Sequence, residues 1–230
     1  MIATLSMRRK VGALRRYLSA MKRSIPLLLL PLLFVACSDS GPKDDVADIR
    51  ACYDNYFAAL KAGEGDKAAE LVDSNTLAHF DRMLGLARTG DSMTVSGLDP
   101  MDKLTVLAMR MQIAPTALKS MDARKAVAHS VSDGLMANEG PEGLELGTVS
   151  VDGDKATAPL KMHGFPTPAS FSFQREDGTW KIDLTSLFDL TRMAFQQMGG
   201  SGPEGNAMLV KLLEENTGTT VPDGIWHPAP

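Results

Sequence analysis

From Asp44 onward the apolar residues recur at spacings of three and four. Val46, Ile49, Tyr53, Tyr56, Phe57 and Leu60 fall on one side of a helical wheel, which predicts an amphipathic helix with one buried face. Gly63 stands where a left-handed cap would end it, and Asp66 stands as the cap of a short second helix over Lys67 to Val72. A third helix starts at Ser74, runs through Leu77, Phe80, Met83 and Leu84, and stops near Gly90. Asp91 to Leu98 reads as a short strand. Asp99-Pro100 then opens another helix, with Asp99 as cap and Pro100 in the first turn, ending by Pro115. Asp122 to Met136 is a further helix, and Asn138 to Gly143 a loop.

Then the period falls to two. Leu144 to Val151, Lys155 to Met162, Ala169 to Arg175 and Thr179 to Leu184 read as four strands. Their connections are Asp152-Gly153-Asp154, the stretch Gly164 to Pro168, and Glu176-Asp177-Gly178. Asp-Gly at such positions is a strong hairpin signal, so the strands form an antiparallel meander. Leu187 to Met198 and Glu204 to Glu215 are helical again, followed by a Pro-rich tail. Helices followed by an antiparallel sheet make the class α+β, with N-terminal helices packed in a curved sheet and a C-terminal helical extension. That packing would bury Tyr53, Tyr56, Phe57, Phe80, Phe171 and Phe173 together.

Two stretches carry a family resemblance. The run from Tyr53 to Val72 (YDNYFAALKAGEGDKAAELV) has an aromatic-bearing helix, a Gly-Asp turn and a short second helix. The run from Phe171 to Leu184 (FSFQREDGTWKIDL) has a Trp-Lys-Ile strand after a Glu-Asp-Gly turn. Together they resemble the opening and the closing hairpin of the nuclear transport factor 2-like superfamily, over roughly residues 45 to 185. The helical stretch from Met101 to Met136 is longer than that family's middle, and the segment after Thr185 is an addition. The resemblance implies a cone-shaped half-barrel with an apolar mouth. It leaves the function open, because such folds host isomerases, dehydratases, binding modules and envelope lipoproteins.

The first 43 residues follow a different logic. Lys22 and Arg23 precede twelve largely apolar residues, Ile25 to Ala36 (IPLLLLPLLFVA), and then Cys37. Twelve residues with two prolines fall short of the roughly 20 needed to span a bilayer. A basic segment, a short apolar segment and a small residue make a secretory signal. Phe34-Val35-Ala36-Cys37 resembles the bacterial lipobox, with Phe34 where that pattern usually has Leu. The resemblance implies a diacylglyceryl thioether on Cys37, cleavage before it, and attachment to the membrane through that lipid. Ser38 rather than Asp after the cysteine favours the outer membrane, facing the periplasm. The domains are then 1–36 as signal peptide (translation starting at Met1 or at Met21), 37–43 as tether, 44–185 as the α+β domain, and 186–230 as extension and tail.

Cleavage changes the charge. The removed segment holds seven of the 24 basic residues and none of the 28 acidic ones, which leaves 17 against 28 and a formal charge of −11 over 194 residues. Such a chain repels phosphate backbones, which argues against a nucleic-acid partner. With Cys37 acylated, Cys52 is the one remaining cysteine, and it lies on the apolar stripe of the first helix as a buried, inert thiol.

Candidate chemistry is sparse. His79, His129, His163 and His227 show no metal-ligand spacing, so no metal or other cofactor is expected. Tyr53, Tyr56, His79, Asp81, His163 and Asp183 are the groups available for proton transfer, but His79 and Asp81 are two apart on a helix and face different ways. No catalytic residue is assigned. Tyr53, Tyr56, Phe57, His79 and Phe80 are the expected ligand-contacting set. The last helix either closes the mouth of the cone or pairs with a second subunit in a homodimer. The leading function is a membrane-anchored, non-enzymatic module binding a small apolar ligand or a protein partner. An inhibitor or immunity lipoprotein against a cell-wall hydrolase, and an isomerase- or dehydratase-like enzyme, are the alternatives.

Overall fold

The computed structural model describes residues 44–133, 143–197 and 202–228. Cys37, the signal segment and the tether lie outside the described residues, as does most of the loop from Asn138 to Gly143. Seven helices come first: α1 Asp45–Ala62, α2 Gly65–Leu71, α3 Ser74–Thr89, α4 Ser92–Ser96, α5 Pro100–Gln112, α6 Pro115–Ser120 and α7 Ala123–Ser132. Five strands follow: β1 Leu144–Leu146, β2 Ser150–Asp152, β3 Lys155–Met162, β4 Phe165–Glu176 and β5 Thr179–Asp183. A 3-10 turn over Leu184–Leu187 leads into α8 Phe188–Gln197 and α9 Gly202–Thr217, and a second 3-10 turn covers Asp223–Trp226. The fold is α+β, with helices against a curled antiparallel half-barrel sheet and a helical extension after it.

Aspartates set most helix starts. Asp44, Asp73, Asp91, Asp99 and Asp122 each accept a backbone N–H from the first turn of α1, α3, α4, α5 and α7. Each such cap is worth about 1 kcal/mol because it satisfies a donor that the helix leaves open. Asp99 accepts from both Met101 and Asp102, with Pro100 in the first turn. The second helix differs from expectation: it begins at Gly65 without a side-chain cap, and Asp66 lies inside its first turn. A Cβ at Gly65 would stand 2.0 Å from the Ala128 carbonyl, so only glycine lets α2 lie this close to α7.

The segment read as a strand over Asp91 to Leu98 is helical, as α4. Alternation across so few residues does not fix the period, whereas the Asp91 side chain on Thr94 N–H (2.7 Å) commits the backbone to a turn. The strand expected over Leu144 to Val151 is two pieces, β1 and β2, both antiparallel to β3. The break has a cause on the facing strand. Pro159 has no N–H to give, the β3–β4 register shifts between Pro159 and Lys161, and Gly147 N–H closes on Pro159 O at 2.8 Å. The connection expected at Gly164 to Pro168 is instead part of β4. The chain reverses at His163 and Gly164, both with positive φ (50° and 81°).

β3, β4 and β5 alternate buried and outward residues. Ala156, Ala158, Leu160, Phe171, Phe173, Trp180 and Ile182 form the inner face. Ile49, Cys52, Tyr53, Tyr56 and Leu60 of α1 are buried in the same core, and Val72 forms a parallel bridge with Ile182. α3 packs on α5 and α7, and α5 carries the C-terminal extension through α8, α9 and the second 3-10 turn. The unit Gly41–Pro230 is compact in its own right and contains the whole described core.

Candidate functional site

α3, α5 and α7 do not close completely on one another. Between them, with α8, α9 and Leu184 of the first 3-10 turn, lies a cavity of about 530 Å³. Its volume is that of a pocket for a small organic ligand. Met101, Leu104, Met109 and Met111 of α5, Phe188 of α8 and Leu213 of α9 give it a mainly apolar wall. Methionine side chains are flexible and polarizable, so such a wall adapts to ligands of different shape. α9 and the residues after it close one side through Asn216, Thr217 and Thr219.

Polar groups enter at two places. On α3, His79 lies with its side chain 8% exposed beside Asp102 of α5, with Nε2 3.7 Å from Oδ1. Arg82, one turn on, holds Asp102 Oδ2 at 2.8 Å and lies 3.3 Å from His79 Nδ1. A guanidinium only donates, so Nδ1 is the accepting nitrogen and the ring proton is on Nε2, facing Asp102. Nδ1 of His79 is therefore engaged by Arg82, while Nε2 faces the Asp102 carboxylate at a distance longer than a hydrogen bond. Phe188 packs edge-on against the ring at 4.6 Å and Phe80 at 5.8 Å. Burial holds the His79 pKa below its ordinary value, against the opposing pull of Asp102.

The second polar place is on α7 and the end of α5. His129 Nδ1 is 3.2 Å from Asp133 Oδ2. A carboxylate only accepts, so Nδ1 carries the proton and Nε2 of the neutral ring is a bare acceptor. Among the described residues His129 Nε2 is covered and has no hydrogen-bond partner, and the same holds for Gln112 Oε1. Both residues line the cavity, with Asp133 and Ser130 beside His129. Ser130 Oγ is used locally, on Val127 O at 2.8 Å.

The structure brings His79 and Phe80 to the cavity and puts Tyr53, Tyr56 and Phe57 elsewhere. Phe57 packs on both Tyr53 and Tyr56, and Phe171 of β4 packs on Tyr53 and Phe57, at centroid distances of 4.6 to 6.1 Å. Tyr53 and Tyr56 are buried, and burial raises the phenol pKa of both, to about 12 at Tyr53. The space under the sheet at α1 is thus filled with aromatic side chains, and the cavity lies among α3, α5 and α7 instead. Cys52 is buried, its thiol pushed up to about 11 by desolvation. Asp81 is exposed, and the carboxylate beside His79 comes from Asp102 instead. His163 sits on the β3–β4 turn and Asp183 caps the first 3-10 turn. Among the described residues no group of three or more His, Cys, Asp or Glu is placed to hold a metal, and no helix is long and apolar enough to cross a membrane.

Sequence reasoning missed Asp102, Arg82, Gln112 and Asp133. The spacing of four between His129 and Asp133 on one helix is a signal that points to their pairing. Nothing local links Asp102 to His79. Compared with known proteins, the chain matches no family model, no curated protein and no solved structure.

Proposed function

We propose that this protein is a bacterial envelope lipoprotein whose α+β domain, of the nuclear transport factor 2-like kind, is a non-enzymatic binding module for a small, mainly apolar ligand. The lipid on Cys37 anchors it, at the outer membrane and facing the periplasm by the reading of Ser38. The observation that carries the binding role is the cavity of about 530 Å³ with its methionine-rich wall. A non-catalytic role fits His79, whose two ring nitrogens face Arg82 and Asp102. The anchor rests on the run Ile25 to Cys37.

The test is native mass spectrometry of the unit Gly41–Pro230 purified from its own organism. The expected result is a mass excess that disappears on denaturation and yields one class of apolar compound. A bare polypeptide mass that also takes up no added apolar probe overturns the binding reading. A second protein retained in stoichiometric amount moves the assignment to the inhibitor reading, which the charge of −11 favours for a basic hydrolase.

A further inference from the structure

The chemistry of the ligand's polar end can be read from the cavity wall, on the basis of the binding role proposed above. Two residues on that wall, Gln112 and His129, each carry a covered acceptor, Oε1 and Nε2, that finds no donor among the described residues. A covered acceptor without a partner costs about 1–3 kcal/mol, so two on one wall call for a group that satisfies them. The Asp133 carboxylate fixes the sense of His129, because its contact with Nδ1 leaves Nε2 as the accepting nitrogen. Charge selects further. Among the described residues lining the cavity none is Lys or Arg, and Asp133 puts a carboxylate on the same wall. On the lining helices α3 and α5, Arg82 is committed to Asp102, and Arg110 to the carbonyls of Leu86, Ala87, Gly90 and Ile225. An acidic head would enter without a counter-ion and beside a like charge.

We propose that the cavity selects ligands with an apolar body and a hydrogen-bond-donating hydroxyl or amino head, held by His129 and Gln112, and rejects the corresponding carboxylates. An amino head donates to both His129 Nε2 and Gln112 Oε1, and as an ammonium has Asp133 beside it as well; a hydroxyl gives its single proton to one of the two; the body lies against the α5 methionines.

The test uses the unit Gly41–Pro230 and a matched series: octanol, octylamine and octanoate, competing with the neutral fluorescent probe N-phenyl-1-naphthylamine at about pH 8. Octanol and octylamine are expected to displace the probe at roughly tenfold lower concentration than octanoate, as one well-made hydrogen bond gives. In His129→Phe and in Gln112→Met, shown by thermal melting to be folded, the gap narrows, and in the double variant it closes, while octanoate is unchanged; a gap of full size in the folded double variant overturns the assignment. Equal displacement by all three, or tighter octanoate, overturns the head-group selection and leaves the binding role standing. Failure of the probe and of all three compounds to bind overturns both. The wild-type series decides the matter even where a variant does not fold.

Discussion

Arg110 is the residue whose removal should cost this domain most for a single polar side chain. It leaves the last turns of α5 and reaches the end of α3. Nε donates to Ala87 O (3.0 Å), Nη2 to Leu86 O (2.9 Å) and Gly90 O (2.5 Å), and Nη1 to Ile225 O (3.1 Å). Leu86 O keeps a partner in Gly90 N–H, but the other three carbonyls belong to buried residues and lose their charged donor. Hydrogen bonds to a charged group contribute about 1.5–3 kcal/mol each, and desolvation of the guanidinium offsets part of that, so Arg110→Met should destabilise by about 3–5 kcal/mol. That offset is visible in the Arg110 pKa, which burial lowers. For a domain of this length the midpoint of thermal unfolding should fall by roughly 10 °C. Hydrogen exchange should also quicken at the Ile225 and His227 amides, which close the second 3-10 turn. Arg110→Lys should recover only a part, because a single ammonium cannot span carbonyls from two segments. The reasoning is refuted if Arg110→Met melts within about 2 °C of the parent with those amides still protected.

Two further outcomes can be checked. His79 is held below its ordinary pKa by burial, so between the ordinary value near 6.5 and the lowered folded value the unfolded chain binds the proton more readily. Stability is therefore full above about pH 6.5 and lost as pH falls through that window. Urea midpoints of wild type and His79→Gln from pH 7.5 to 5 should diverge, with the variant flatter, and parallel profiles would contradict the assignment. Cys37→Ser should abolish metabolic labelling with an alkyne fatty acid and release the domain from the membrane fraction. Undiminished labelling would place the lipid elsewhere.

Much of the scaffold was legible in the chain. The α1 stripe, the Asp99-Pro100 start and the Asp-Gly turns each follow from a local cause, either a period or a cap, that needs no distant partner. Some errors were local, as at Asp91 to Leu98, where the Asp91 cap on Thr94 outweighs a short alternation, and at Asp66; others fell where the facing strand or the exact turn position decides. The break between β1 and β2 depends on Pro159 in the facing strand, and β4 starts at Phe165 because His163 and Gly164 accept the left-handed turn. The cavity was less legible than the fold. His79 and Phe80 were within reach of the sequence because an apolar face and a titratable neighbour are visible there. Asp102 looks in the sequence like any acid in a first helical turn, and Gln112 like any polar residue near a helix end.

The sequence by itself determined most of the periods, the cap at Asp99 and the turns at Asp-Gly, the succession of helices before an antiparallel sheet, and the apolar run before Cys37, because each depends on residues only a few positions apart. Tertiary structure decided where space is left over. Tyr53, Tyr56 and Phe57 could have lined a cone, but Phe171 of β4 meets Tyr53 and Phe57 and fills it. The open volume lies among α3, α5 and α7, with residues of α8 and α9 completing its wall. Whether an aromatic side chain lines a cavity or plugs it depends on the distances between elements, and those are set by the packing of the whole domain rather than by any local run of residues.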